Sequence, residues 1–216
     1  FVETASRYEF VSVVVSEADT GEAARVLEGL SNIELLQHEH VNLWLRDVGP
    51  SFLVSPDAGL SALTWSWHGY GSPDGQFGKG RHSEGRKALY ENYCVRDWAR
   101  LCELDLQLGP AVATSEGAQD IRAVDLAFEG GAVVTDGEGT GVVVWEMLER
   151  MGVVSDSLTD LQRRLQEVTG LEKIIWLPNG LEESGGNAHA DMVCAFMGPG
   201  QLLLAEGDER CAANRE

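Results

Sequence analysis

The residues of this chain whose types and spacing could do chemistry are one histidine and three acids. His189 and Asp191 stand two residues apart. If their segment is a strand, the alternation of side chains puts both on the same face. Asp47 and Glu129 could supply two further carboxylates from distant parts of the chain. Three carboxylates beside one imidazole suit a planar, permanently charged cation such as a guanidinium, because its N–H donors match paired oxygens.

The composition narrows the classes of partner. The chain has 216 residues, is 44% hydrophobic and carries a formal net charge of −19. It is long enough to bury a core, and its acidity argues against nucleic acid, since phosphate binding needs clustered Lys and Arg. No run approaches the roughly 18 apolar residues of a membrane-spanning helix, and we expect no secretory signal after Phe1. No CxxC pair occurs, which favours reduced thiols in a cytoplasmic protein; homo-oligomerisation stays open.

The first third of the chain predicts strands joined by a helix. Residues 10–15 are β-branched and nearly continuous, which indicates a buried strand, and residues 32–37 return as a second strand. Apolar residues at helical spacing predict a helix over 19–30 between them, so the three elements form a βαβ-like unit. A further strand pair is expected at 51–54 and 62–67.

The middle of the chain is less regular. A glycine-rich loop runs to Gly80 without Walker spacing, so we interpret it as a mobile surface loop or lid rather than a phosphate cradle. The apolar pattern predicts the longest helix over 83–104, and residues 110–120 are expected to be irregular.

The last third of the chain again predicts strands alternating with a helix. The Asp136–Gly139 turn predicts a hairpin between strands at 132–134 and 141–145. A helix over 157–168 has Ser157 as its N-cap and Gly170 after its end. Strands are expected at three further places, 173–177, 187–196 and 201–205. The whole pattern favours a repeated ββαβ module over a doubly wound sheet.

Four motifs occur in the order and approximate spacing seen in agmatine deiminases, which belong to the bacterial, Porphyromonas-type peptidylarginine deiminase family. They are Trp44-Leu45-Arg46-Asp47-Val48-Gly49-Pro50, Glu129-Gly130-Gly131 with Asp136-Gly137-Glu138-Gly139-Thr140, Ile175-Trp176-Leu177-Pro178 with Gly180, and His189-Ala190-Asp191. The chain resembles this family over roughly residues 9–206. The resemblance implies an α/β fold, a pentein-type α/β propeller of repeated ββαβ modules. We expect residues 1–216 to form a single such domain, lacking the C-terminal modules.

The resemblance also implies a reaction, the hydrolysis of agmatine to N-carbamoylputrescine and ammonia in putrescine biosynthesis, with no metal and no cofactor. A cysteine thiolate would attack the guanidinium carbon. His189 would be the catalytic acid and base, and Asp47 and Asp191 would hold the guanidinium. Glu129 would be a further acidic contact, and Trp44 would pack on the methylene chain of the substrate.

The family places its nucleophile in a Gly-Gly-Gly-x-x-His-Cys segment far beyond the His-x-Asp motif, so the nucleophilic cysteine is expected to lie outside this chain. Neither Cys194 nor Cys211 has that sequence context. A second departure concerns the acid that the family has near the substrate amine, which is displaced or lost here. Glu182 and Glu183 are the candidate substitutes if the gaps in this loop are placed differently in the alignment. Because the residues that would read the far end of the substrate have changed, peptidylarginine stays open as a substrate variant.

Blander interpretations remain for each of these residues. His189 could be a satisfied buried histidine, Asp47 could pair with Arg46, Glu129 could be an exposed turn acid, and Trp44 could belong to the core. His38 and His40 have no third ligand at a credible spacing, so we interpret them as solvated rather than as zinc ligands. The alternative functions are a non-catalytic guanidinium-binding relative and an inactive fragment.

Overall fold

A computed structural model describes residues 1–40, 44–57, 59–67, 98–151, 153, 157–181 and 188–206. Its strands are β1 Val11–Val15, β2 Ile33–Gln37, β3 Ser51–Ser55, β4 Gly59–Trp65, β5 Asp120–Val124, β6 Val133–Thr135, β7 Thr140–Val144, β8 Lys173–Leu177, β9 Cys194–Gly198 and β10 Gln201–Leu204. Its α-helices are α1 Val2–Ala5, α2 Thr20–Val26, α3 Leu45–Val48, α4 Trp98–Ser115, α5 Trp145–Arg150 and α6 Leu158–Thr169. Two short 3₁₀ turns, η1 Gly130–Ala132 and η2 Ala190–Met192, complete the set. Strands and helices alternate, so the fold is α/β.

The N-terminal unit is the predicted βαβ. β1 and β2 pair in parallel, with Val11 opposite Ile33, and α2 connects them. The prediction of a buried strand was wrong for most of β1: only Val15 is buried, because no third strand joins this sheet among the described residues. α2 also ends earlier than expected, at Val26.

Two three-stranded mixed sheets confirm the repeated ββαβ pattern. β3 and β4 are antiparallel, and β5 then adds to β4 in parallel after α4. β6 and β7 are likewise antiparallel, and β8 adds to β7 in parallel after α5 and α6. The hairpin turn between β6 and β7 forms as predicted, because Asp136 Oδ1 accepts the N–H groups of Glu138 and Thr140 and Gly137 supplies a φ of 75°.

The stretch around residues 104–124 differs from the prediction. Helix α4 runs on to Ser115 through Pro110, where an irregular segment was expected, and residues 83–97 of the predicted helix lie outside the described residues. Burial of Leu108 and Ala113 on either side of the proline outweighs the lost backbone hydrogen bond. Strand β5 was missed since it is an edge strand with mostly exposed residues, so its apolar alternation is weak.

The core lies between the two mixed sheets and helix α6. α6 presents Leu161 and Leu165 to it, and the helix has the predicted caps: Ser157 Oγ accepts the N–H of Asp160, and Gly170 is left-handed. Trp65 and Phe128 pack against each other in the same core, with their ring centroids 4.6 Å apart and their planes tilted by 48°. Burying each such side chain contributes about 1.5–3 kcal/mol to the stability of the fold. Phe128 therefore anchors the loop that carries Glu129 in the core. In the described part of the chain, no helix is both long and apolar enough to cross a bilayer.

The predicted strand over 187–196 was wrong in its first half. His189 is extended, with φ −70° and ψ 144°, and the chain then turns through η2 before β9 begins at Cys194. The turn closes with a hydrogen bond from the N–H of Met192 to the carbonyl of His189. A turn satisfies these backbone groups locally, which the apolar pattern Ala190, Met192, Val193 does not reveal.

Candidate active site

Asp47 is buried at the end of the short helix α3. Its neighbour Val48 packs with Trp67 and Leu108 in a second apolar cluster, which fixes α3 against α4. Asp47 itself is 4% exposed, and its Oδ1 accepts the N–H of Gly131 at 3.2 Å. A backbone donor on the ionised form of a buried carboxylate repays part of its desolvation.

Glu129 enters the same space from the loop between β5 and β6. Phe128 anchors the loop in the core, and Glu129 is extended and 2% exposed just before η1. The two following glycines are required by close packing. A Cβ on Gly131 would lie 2.6 Å from His189 Nδ1 and 2.7 Å from Asp47 Oδ1, and a Cβ on Gly130 would collide with the carbonyl oxygen of Arg46. The Glu-Gly-Gly motif is therefore the sequence signature of three segments meeting.

His189 and Asp191 come from the turn before β9. Ala188 and Ala190 on either side of the histidine are buried in the core and hold its backbone. The two side chains approach each other although the strand alternation that predicted this is absent, since the η2 turn brings Asp191 Oδ1 to 3.9 Å from His189 Nδ1.

The four predicted residues thus converge around one imidazole. Glu129 Oε2 lies 2.6 Å from His189 Nε2, a short charge-assisted hydrogen bond within the buried site. On the other edge of the ring, Nδ1 lies 3.7 Å from Asp47 Oδ1. Both distances on the Nδ1 side are too long for hydrogen bonds, so Asp47 and Asp191 act on the imidazole through their charge.

These contacts shift the titration of the site. Burial, the largest single influence on His189, lowers its pKa, but the hydrogen bond and charge of Glu129, with the charges of Asp47 and Asp191, outweigh it and raise the pKa above the ordinary value. Burial also raises the pKa of Asp191, and Asp47 adds to the rise while His189 and Arg46 oppose it. The imidazole is therefore biased toward its protonated form, in which it can give up a proton.

Asp47, Glu129 and His189 offer three ligand-type atoms within 4.8 Å of one another. A tetrahedral zinc ion with bonds of about 2.0–2.1 Å would hold its ligands about 3.4 Å apart. The 2.6 Å between Nε2 and Oε2 suits a shared proton better than a shared ion. The donor set as it stands is arranged for proton transfer and for contact with a cation.

Other candidate residues take ordinary places. Cys194 is buried, and burial together with the charge of Asp191 raises the pKa of its thiol, which makes it a poor nucleophile. The Nδ1 atoms of His38 and His40 contact main-chain carbonyl oxygens at 2.7 and 2.9 Å. Trp44 is 49% exposed, so it does not belong to the buried core. Cys211, Glu182 and the glycine-rich loop to Gly80 lie outside the described residues, as does Glu183.

One residue of the site escaped the sequence analysis. Arg46 donates from Nε to the carbonyl of Gly130 and from Nη2 to the carbonyl of Val133, both at 3.1 Å. Its position directly before Asp47 was the only available signal, and it suggested an ion pair between the two rather than a link to a distant loop.

Comparisons with known proteins identify relatives of similar sequence. Agmatine deiminase of Pseudomonas fluorescens is 29% identical over 205 residues, covering 94% of this chain and 50% of the relative. Agmatine deiminase of Stutzerimonas stutzeri is 30% identical over 205 residues, with the same coverage of 94% and 50%. The chain therefore spans about half the length of these relatives.

Solved structures share the fold. An agmatine deiminase of Enterococcus faecalis matches with a TM-score of 0.75 at 22% identity, covering 97% of this chain and 52% of that one. The C. jejuni agmatine deiminase matches with a TM-score of 0.74 at 20% identity, covering 98% and 55%. The profile of one family, Porphyromonas-type peptidyl-arginine deiminase, matches residues 1–216. The chain therefore belongs to the Porphyromonas-type peptidyl-arginine deiminase family.

Proposed function

We propose that this chain carries the acid-lined half of an active site that hydrolyses agmatine to N-carbamoylputrescine and ammonia. The observation that supports this best is the convergence of Asp47, Glu129, His189 and Asp191, which are remote along the chain, around one imidazole. Three carboxylates and one buried histidine match a small guanidinium cation. The relatives at 29–30% identity are agmatine deiminases by name.

In the proposed reaction Asp47 and Asp191 hold the guanidinium by charge-assisted hydrogen bonds. A thiolate attacks the guanidinium carbon, and the C–N bond to the departing amine breaks. His189 gives that amine the proton it needs to leave as ammonia. The same histidine then takes a proton from water, whose oxygen attacks the amidino-thioether carbon and releases the ureido product and the thiolate. The net reaction consumes one water and yields one ammonia.

The contact between Glu129 and the imidazole of His189 suggests different roles for the two ring nitrogens. Because Glu129 holds Nε2, the proton that moves would be the one on Nδ1, the edge that faces Asp47 and Asp191. Glu129 would then orient the imidazole and stabilise its charged form, rather than contact the substrate as the resemblance implied.

The proposed nucleophile is not Cys194, whose thiol is buried and protonated. The matched relatives are about twice as long as the stretch they share with this chain. We therefore propose that the thiolate belongs to the part of the protein that corresponds to their remaining half. The arrangement of the sheets as a propeller is proposed on the same grounds.

The proposed substrate has a flexible methylene chain and a terminal amine. Trp44, half-exposed one helical turn from Asp47, would pack on the methylenes. The product is a precursor of putrescine, so the proposal places the reaction in cytoplasmic polyamine synthesis. A peptidylarginine substrate is the second candidate, favoured by the description of the family profile.

The test is ammonia release by the full-length protein from agmatine and, separately, from a peptide containing arginine. We expect turnover of agmatine, and we expect His189→Ala to lower kcat/KM by about 10²-fold or more, as removal of a general acid and base does. His38→Ala is the matched control, since Nδ1 of that ring contacts the main-chain carbonyl oxygen of Glu39 and not the acidic cluster around His189. Turnover of the peptide but not of agmatine would show that the substrate is peptidylarginine. A His189→Ala variant as active as the unmodified protein would refute the proposal.

A further inference from the structure

Arg46 ties the helix that carries Asp47 to the loop that carries Glu129. Its guanidinium donates two hydrogen bonds to that loop, to Gly130 O and Val133 O, each 3.1 Å long. Gly130 is the first residue of η1, the turn directly after Glu129, and Val133 is the first residue beyond that turn. The side chain therefore spans the turn from one end to the other.

The backbones of the two segments are also in direct contact. Gly130 lies so close to the Arg46 carbonyl oxygen that no Cβ could be accommodated there. One residue further along each segment, the N–H of Gly131 binds Asp47 Oδ1 at 3.2 Å. Arg46 and Asp47 thus hold consecutive residues of the loop, so the position of Glu129 is set from α3 and not by its own loop alone.

We propose that Arg46 is a positioning residue that holds Glu129 against the imidazole of His189 by clamping the 129–133 turn. The inference rests on the proposed function for its kinetic consequence, although the clamp itself is a matter of geometry. Two carbonyls on either side of a turn need a planar donor with two fixed N–H directions, which a guanidinium has. A lysine ammonium is a single point charge and cannot hold both carbonyls in the same geometry.

A purely electrostatic role predicts a different outcome. The groups that face His189 are Glu129 from the 129–133 turn, Asp47 from α3 and Asp191 from η2. If Arg46 acted only through its charge, its removal would leave a more negative site and favour the protonated imidazole. If it acts by positioning, its removal lets Glu129 move away, and the imidazole loses its strongest stabilising partner. The two roles therefore shift the titration of His189 in opposite directions.

The experiment compares Arg46→Ala and Arg46→Lys in the full-length protein with Arg163→Ala as the matched control, an exposed arginine paired with Glu167. We expect kcat to fall about 10- to 10²-fold for Arg46→Ala and less for Arg46→Lys, with KM changed little, because loss of catalytic geometry affects the chemical step. Proton NMR of the His189 ring should show the Nε2–H signal shifted upfield and the imidazole titrating at lower pH. Arg163→Ala should match the unmodified protein in kcat, in KM and in both NMR readouts.

The kinetic and NMR measurements test the proposed function and the Arg46 clamp separately. If the protein turns over neither substrate, the NMR titration still decides whether Arg46 positions Glu129. A titration of His189 that moves to higher pH, or does not move, overturns the clamp, as does a loss confined to KM. If Arg46→Ala fails to fold, Arg46→Lys carries the same test, since it keeps the charge and changes only the geometry.

Discussion

The hydrogen bond between Glu129 and His189 should make the stability of the protein depend on pH in a defined way. We consider Glu129→Gln, which keeps the shape of the side chain and an oxygen acceptor but removes the charge. A hydrogen bond to a charged partner is worth about 1.5–3 kcal/mol, against about 0.5–1.5 kcal/mol for a neutral one. The 2.6 Å distance and the burial of both residues place this pair at the strong end of that range.

The sign follows from the raised pKa of His189. Because the folded-state pKa lies above the ordinary value of 6.5, the folded protein binds the proton more tightly than the unfolded chain does. The stabilisation is therefore fully present below pH 6.5 and is lost as the pH rises through the folded-state value. The coupling between Glu129 and His189 should be about 1.5–3 kcal/mol near pH 6 and smaller near pH 9.

The assay is a double-mutant cycle on the free energy of unfolding, measured by urea titration with tryptophan fluorescence. It uses the unmodified protein, Glu129→Gln, His189→Gln and the double variant, at about pH 6 and about pH 9. Glu138→Gln, an exposed acid of the hairpin turn, is the control and should show no pH-dependent coupling to His189. A coupling below about 0.5 kcal/mol at the lower pH, or one that is equal at both, would refute the reasoning.

Two further predictions concern the backbone that supports the site. Gly131→Ala should cost about 1–3 kcal/mol of unfolding free energy, because its Cβ would press on His189 and Asp47; Gly21→Ala, with open space around its Cβ, should be neutral or stabilising in the same urea titration. Ser157→Ala should lower the free energy of unfolding by about 1 kcal/mol, because it removes the N-cap of α6. The control Ser31→Ala, at an exposed position, should change thermal unfolding little. Equal effects of the two substitutions would contradict the capping argument.

Local sequence signals were enough to predict most of the strands, one hairpin turn and the N-cap of α6. The Asp-Gly hairpin at Asp136 and the serine cap of α6 are each decided within a few residues, and each forms as predicted. The β-branched run of β1 likewise forms a strand, although most of that strand is not buried as predicted. β5 was missed, and the predicted end of α4 at residue 104 was too early, because both depend on partners distant in the chain. β5 pairs with β4, and the continuation of α4 through Pro110 is supported by the packing of Leu108 against Val48 and Trp67.

The site shows the same division. Motif order was enough to nominate Asp47, Glu129, His189 and Asp191, and they do meet. The contacts among these four residues could not be predicted from the sequence. The residues come from three separate segments, and their contacts depend on how the sheets pack. Strand alternation was the wrong reason for pairing His189 with Asp191, because a 3₁₀ turn brings them together. The hydrogen bonds of Arg46 to the loop after Glu129 were not predictable from the sequence for the same reason.

If the proposed function is correct, the charges of the cluster formed by Asp47, Glu129, His189 and Asp191 should favour a cationic ligand. Three carboxylates lie close to two positive groups in this cluster, the protonated form of His189 and the guanidinium of Arg46. Buried charge without a partner is costly, and a carboxyl in such a place responds by holding its proton more tightly. Asp191, the most exposed of the acids, shows this response: burial and the charge of Asp47 raise its pKa although His189 and Arg46 oppose them. In the proposed function, a bound guanidinium would place a further positive charge beside Asp191, the most exposed of the three carboxylates.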